Sequence, residues 1–143
     1  MSDKNRNSLI YVIGATNKPW QLDEPFIRRF QKRILISLPN YHARMEMFKI
    51  YSKDLNLSPD VDLEGLAGKT EGYSGSDIKD IFQSVQIKIV RELFNSEKAG
   101  NKMEKPRPIG MDDFLEVLNE RKVSVSSEML KQYDRWFQEY KAL

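Results

Sequence analysis

The chain has 143 residues, 40% hydrophobic and 31% charged, enough to bury the core of one ordinary domain or two small ones. With 23 Lys and Arg against 21 Asp and Glu, its net charge of +2 lacks the basic excess of a dedicated nucleic-acid binder. It has no cysteine for a disulfide, thiolate metal site or thiol nucleophile, a single histidine (His42), no signal-peptide pattern, and no apolar run near the ~20 residues of a membrane helix. A soluble, cytoplasmic protein without direct membrane insertion is expected.

Met1 to Ser8 is polar and reads as a loop or a cut end. Leu9 to Ile13 is continuously apolar and rich in β-branched residues, which predicts a strand buried on both faces, as in a parallel sheet. Thr16-Asn17-Lys18-Pro19 is a turn. A short helix is predicted from about Leu22 to Phe30, then a second strand over Arg33 to Leu38, ended by Pro39-Asn40. Beyond Pro39 the apolar spacing is helical. Asn40 is a candidate N-cap for a helix reaching about Asp54, with Tyr41, Met45 and Phe48 on one face and His42 at the surface. Asp62 is a candidate cap for a short helix through Leu63, Leu66 and Ala67. Ser74 and Asp77 form a capping box ahead of the longest helix. Its apolar stripe is Ile78, Ile81, Phe82, Val85, Ile89 and Leu93, with Ile87, Val90 and Phe94 expected to widen it. Asn95 to Gly110 is predicted as a solvated loop. Asp112 or Asp113 opens a helix through Leu118, and Ser126 or Ser127 opens a last one carrying Met129, Tyr133, Trp136, Phe137 and Tyr140. The whole reads as strand, helix, strand, followed by a bundle of four or five helices.

Few residues in this pattern carry chemistry. Asn17 follows a buried-type strand, where ligands of open α/β sheets sit, and its amide can both donate to and accept from a water or phosphate oxygen. The alternative is a plain turn. Arg28 and Arg29 are suited to phosphate, but neighbours on a helix point about 100° apart, so they would address different partners. The alternative is a solvated basic stretch with Lys32 and Arg33. Gly75 and Ser76 open the longest helix, where free N–H groups can meet a polar ligand, or where a cap is all there is. Trp20 is expected to pack rather than to carry a ligand. No Gly-rich phosphate loop with its Lys is present, and no Asp-Glu pair follows a buried strand, so the chain offers no metal ligands.

Taken together, Val12 to Trp20, Leu22-Asp23, Ile27 to Phe30 and Arg33 to Pro39 resemble the second half of an AAA ATPase domain. Glu71 to Ile78 resembles the second-sensor region of that family. Pro19-Trp20 and the aromatic last helix resemble the meiotic clade, and within it an archaeal-like version of the vacuolar-protein-sorting ATPases that disassemble ESCRT-III polymers. The fold implied is an α/β remnant of a P-loop AAA large domain, two strands and a short helix over 1–39. An all-α helical-bundle lid domain over 40–124 follows, and then a helix over 125–143 that packs back on the module.

The resemblance also implies roles. Asn17 would be the first-sensor asparagine orienting the attacking water, Arg28 and Arg29 arginine fingers reaching the ATP of a neighbouring protomer, and Gly75 and Ser76 contacts to adenine and ribose. The cofactors implied are ATP and Mg²⁺, the latter held outside this chain. The partners implied are a homo-oligomer, a hexameric ring, and ESCRT-III-like filament subunits. The family's phosphate loop, metal-binding Asp, catalytic Glu and pore loops precede residue 1, so the chain alone is expected to be inactive. The sheet strand that normally lies between the two predicted strands is also missing. Residues 1–39 are therefore expected to be disordered, rearranged or completed by another chain. Relatives insert a small co-activator-binding β domain near Asn95 to Gly110, and the stretch here is too short and too poor in β-formers for one. Two other readings stay open: a non-catalytic helical assembly module, and a microtubule-severing AAA ATPase.

Overall fold

A computed structural model describes residues 10–100 and 105–141. The helices in order are α1 (Glu24–Arg28), α2 (Tyr41–Ser52), α3 (Leu63–Lys69), α4 (Gly75–Lys98), α5 (Met111–Glu120) and α6 (Ser127–Tyr140). They divide between two compact units. Ile36–Leu130 forms one; the residues up to Leu35, together with those from Lys131 onward, form the other.

The Ile36–Leu130 unit is built around α4, which packs against α2 and α5 while α2 also packs on α3. Ile78, Ile81, Phe82, Val85 and Ile89 repeat at helical spacing and are buried, as the sequence predicts. Phe82 is central. Its ring lies 5.4 Å from Phe48, 5.6 Å from Tyr51 and 5.3 Å from Phe114, centroid to centroid. Leu66, Ala67, Tyr73, Ile109 and Val117 complete the buried cluster. The expected widening of the α4 stripe does not occur, because Ile87, Val90 and Phe94 point outward and Phe94 is 58% exposed.

Local chemistry sets the ends of these helices. Asn40 Oδ1 accepts from the Ala43 N–H at 2.9 Å, and Asp62 Oδ1 from the Gly65 N–H at 3.0 Å. Gly72 turns the chain between α3 and α4 at φ +80°, a left-handed conformation that favours glycine. α4 runs on to Lys98, four residues into the predicted loop, because no breaker interrupts it before Gly100 at φ +83°. A parallel bridge joins Leu57 to Ile109, with Ser58 N–H donating to Ile109 O at 2.8 Å and Ile109 N–H to Asn56 O at 2.9 Å.

One ion network spans α4, α5 and the segment before α5. Arg107 grips the buried Asp113 with two bonds, Nη1 to Oδ2 at 2.7 Å and Nη2 to Oδ1 at 2.8 Å, while its Nε reaches Glu92 at 2.7 Å. Lys88 Nζ sits 3.0 Å from Asp113 Oδ1 and also bonds Glu116. The Arg107 bonds hold the Asp113 carboxyl well below its ordinary range against the opposing effect of burial. A carboxylate lowered on folding stabilises above its unfolded pKa, about 3.9, and that contribution disappears as pH falls toward the folded value. The urea midpoint should therefore hold between neutral pH and about pH 5 and fall below about pH 4. Asp113→Asn should be less stable at neutral pH and lose that part of the acid slope, which chemical denaturation across pH reads directly.

The two predicted strands do not form, the first in the other unit and the second straddling its boundary at Leu35. Residues 10–13 are 75–93% exposed, Ile34 and Ile36 are 85% and 90% exposed, and none belongs to a ladder; Leu9 lies outside the described residues. The apolar, β-branched pattern specifies a strand buried on both faces, but a strand needs neighbours to bond with, and the described residues provide none. The short helix is also briefer than predicted: a 3-10 turn over Pro19–Gln21 precedes the five residues of α1. Ile27 and Pro19 are buried in this unit, and α6 from Lys131 onward supplies its other half.

Candidate functional site

Asn17 occupies a bend whose following N–H, that of Lys18, donates to Thr16 Oγ1 at 3.1 Å. Its side chain is exposed, while its backbone carbonyl accepts a hydrogen bond from the Tyr133 hydroxyl. Trp20, half-buried in the next turn, meets the Tyr133 ring edge to face at 5.0 Å, so it packs as expected.

Arg28 closes α1 and Arg29 caps it. Both guanidinium groups are exposed. Arg28 Nη2 lies 2.5 Å from Glu24 Oε1, one turn earlier on the helix. Arg29 makes no ion pair among the described residues and lines a cavity of about 430 Å³ with Asp23, Glu24, Pro25 and Phe26. An exposed i,i+4 pair is weak, so neither arginine is firmly held by a partner among the described residues.

Gly75 and Ser76 belong to the Ile36–Leu130 unit, at the first turn of α4. The expected capping box is present. Ser74 Oγ accepts from the Asp77 N–H at 3.1 Å, and Asp77 Oδ2 accepts from the Ser74 N–H at 2.8 Å. The same carboxylate oxygen accepts from Ser74 Oγ at 2.8 Å and from Ser124 Oγ at 2.9 Å, tying the start of α4 to the connection between α5 and α6. Burial pushes Asp77 up, but these hydrogen bonds outweigh it and its pKa is lowered. With that negative charge in place, the Gly75 and Ser76 N–H groups suit a neutral base edge or hydroxyl better than a second anion. The Met47 methyl comes within 3.5 Å of where a side chain on Gly75 would begin.

Several residues that shape these regions have no signal in the local pattern. Arg44 is buried, with Nε donating to Ala67 O at 3.1 Å and Nη1 to Pro39 O at 2.9 Å, and it lines a cavity of about 570 Å³ with Tyr41, Glu71 and Gly72. Arg33 donates from Nη1 to Tyr140 O at 2.5 Å and from Nη2 to Ile27 O at 3.0 Å. Charged residues one helical turn from an apolar face read as solvent-exposed until the carbonyls they meet are known.

Three family models match the chain: AAA, the ATPase family associated with various cellular activities, over residues 1–38; the AAA+ lid domain over 60–105; and the Vps4 C terminal oligomerisation domain over 92–140. Cell division protein C of Sulfolobus acidocaldarius is 49% identical over 143 residues, all of this chain and 37% of that protein. A mouse relative, the A-like 1 form of the katanin p60 ATPase-containing subunit, is 36% identical over 145 residues, 98% of this chain and 30% of that protein. Among solved structures, the FIGL-1 AAA domain in complex with ADP superposes with a TM-score of 0.76 at 27% identity, over 91% of this chain and 44% of that one. A katanin structure described under self-assembly gives 0.76 at 29% identity, over 86% and 45%. The chain thus spans less than half the length of each of these relatives. It belongs to the AAA ATPase family and carries that family's C-terminal region, with an AAA lid and a Vps4-type C-terminal domain.

Proposed function

We propose that this chain supplies the arginine-finger and lid portion of a ring-forming, ATP-hydrolysing machine that takes apart ESCRT-III-like polymers in the cytoplasm. The observation that carries the reading is the pair Arg28 and Arg29, exposed at the end of α1, Arg28 held only by a surface pair with Glu24 and Arg29 by no ion pair among the described residues. Guanidinium groups so disposed can reach a nucleotide held by a neighbouring protomer and offset the charge that develops on its γ-phosphate. Asn17 orients the attacking water through its amide. Gly75 and Ser76 bind the neutral end of the nucleotide, beside the carboxylate of Asp77.

Magnesium, when bound to ATP, neutralises charge on the β- and γ-phosphates. Its ligands would lie outside this chain, whose sequence carries no Gly-rich phosphate loop with its Lys and no Asp-Glu pair after a buried strand. No helix of the described residues is long and apolar enough to cross a membrane. The Vps4 C terminal domain match and the whole-chain similarity to a cell division protein support the vacuolar-protein-sorting resemblance, and the katanin relatives keep microtubule severing as a second reading.

Rings of the complete polypeptide carrying this chain are expected to shorten ESCRT-III-like filaments in the presence of ATP and to leave microtubules intact, as read by sedimentation. Cut microtubules beside untouched filaments would favour the katanin-like activity. No ATP turnover and no effect on either polymer would favour a non-catalytic assembly module.

A further inference from the structure

Both proposed catalytic elements of the unit that holds α1 rest on α6, more than 100 residues further along the chain. Tyr133 donates its hydroxyl proton to the carbonyl of Asn17. Two turns on, the Tyr140 carbonyl accepts from Arg33, whose other Nη donates to the carbonyl of Ile27, immediately before Arg28. α6 thus meets Asn17 directly through the Tyr133 side chain, and the arginine pair through its C-terminal carbonyl and Arg33. Trp20 packs against Tyr133, and Trp136 stacks on Tyr140 within α6, centroids 5.2 Å apart, all four half-buried. Arg33 reaches both carbonyls while its buried Nε has no partner among the described residues.

We propose that α6 acts as a splint for hydrolysis within its own protomer, with Tyr133 and Arg33 as positioning residues. This rests on the roles proposed above for Asn17, Arg28 and Arg29. Neither positioning residue touches nucleotide. Tyr133 fixes the peptide plane that follows Asn17, and so limits the directions its amide can take. Arg33 fixes the last turn of α1, and so the starting point of both arginine side chains. An element that only joined protomers would have no need to bond the Asn17 carbonyl and the Arg33 guanidinium of its own chain.

The test uses rings of the complete polypeptide. Tyr133→Phe deletes the hydroxyl and keeps the ring against Trp20. It is expected to lower kcat about fivefold to tenfold, the effect of one lost hydrogen bond on a transition-state geometry. KM for ATP and ring size by light scattering should not change. Arg33→Lys keeps the charge but cannot bridge two carbonyls, and should reproduce this kcat loss. If that variant fails to fold, Tyr133→Phe alone carries the test. Asn17→Ala separates the two levels of inference. If it abolishes turnover while Tyr133→Phe behaves as wild type, the splint is refuted and the role of Asn17 stands. If Asn17→Ala leaves turnover intact, both are refuted. If Tyr133→Phe weakens assembly and leaves kcat per assembled ring unchanged, α6 is an assembly element only and the proposal is overturned.

Discussion

Replacing Arg28 and Arg29 together with alanine is expected to reduce ATP turnover by an assembled ring about a thousandfold, the lower end of what an arginine finger contributes in phosphoryl transfer. In the proposed role the side chains act on a neighbour's nucleotide, so ATP binding to the altered protomer should persist. In mixed rings, activity should fall more steeply than the fraction of altered protomers. The two positions should not substitute for each other. They point about 100° apart, and Arg28 has a surface partner in Glu24 that Arg29 lacks. Lysine should restore little at either position, because a point charge cannot hold two phosphate oxygens as a planar fork does. Steady-state turnover at saturating ATP, with ring size measured in parallel, decides the matter. Unchanged turnover in the double variant would remove the basis for the proposed activity.

Phe82→Ala is expected to cost about 4 kcal/mol, the usual range for a fully enclosed phenylalanine being roughly 3–5. Phe82 is 2% exposed and meets three other rings, from α2 and α5. The helices around it are each tied down at their ends, so the cavity left behind would collapse only partly. A unit of this size carries roughly 5–14 kcal/mol in total. The variant should therefore melt far below the parent, as followed by circular dichroism. Phe94→Ala, twelve residues on in the same helix but outward-facing, should change stability by no more than about 0.5 kcal/mol.

The contrast between Phe82 and Phe94 marks where the sequence is legible. The helices of the Ile36–Leu130 unit announce themselves through local spacing and local caps. Asn40, Asp62, and Ser74 with Asp77 bond N–H groups only three residues away, so their roles can be read from neighbours. The width of the α4 stripe cannot, because whether Val90 and Phe94 are covered depends on what lies across from them. The same reason defeats the strand predictions. Residues 10–13 have the right composition, yet a ladder is a property of two segments, and one segment's sequence does not reveal whether the other is at hand. For the candidate site, the family resemblance nominates Asn17, Arg28, Arg29, Gly75 and Ser76. The groups that support this region, Tyr133 below Asn17 and Ser124 beside the capping Asp77, are 116 and 47 positions away and leave no trace in local spacing.

The Arg107 fork also bears on how this lineage can vary. By joining Glu92 to Asp113 it closes the base of the α4–α5 connection, and the bridge at Ile109 secures the same spot against Asn56 and Ser58. With the stem clamped, extra residues inserted beyond Gly100 face only the entropy of a larger ring, about 0.6 kcal/mol for each doubling of its length. A tag or a small module grafted there should leave the helices undisturbed, making this tip a natural port for evolutionary growth.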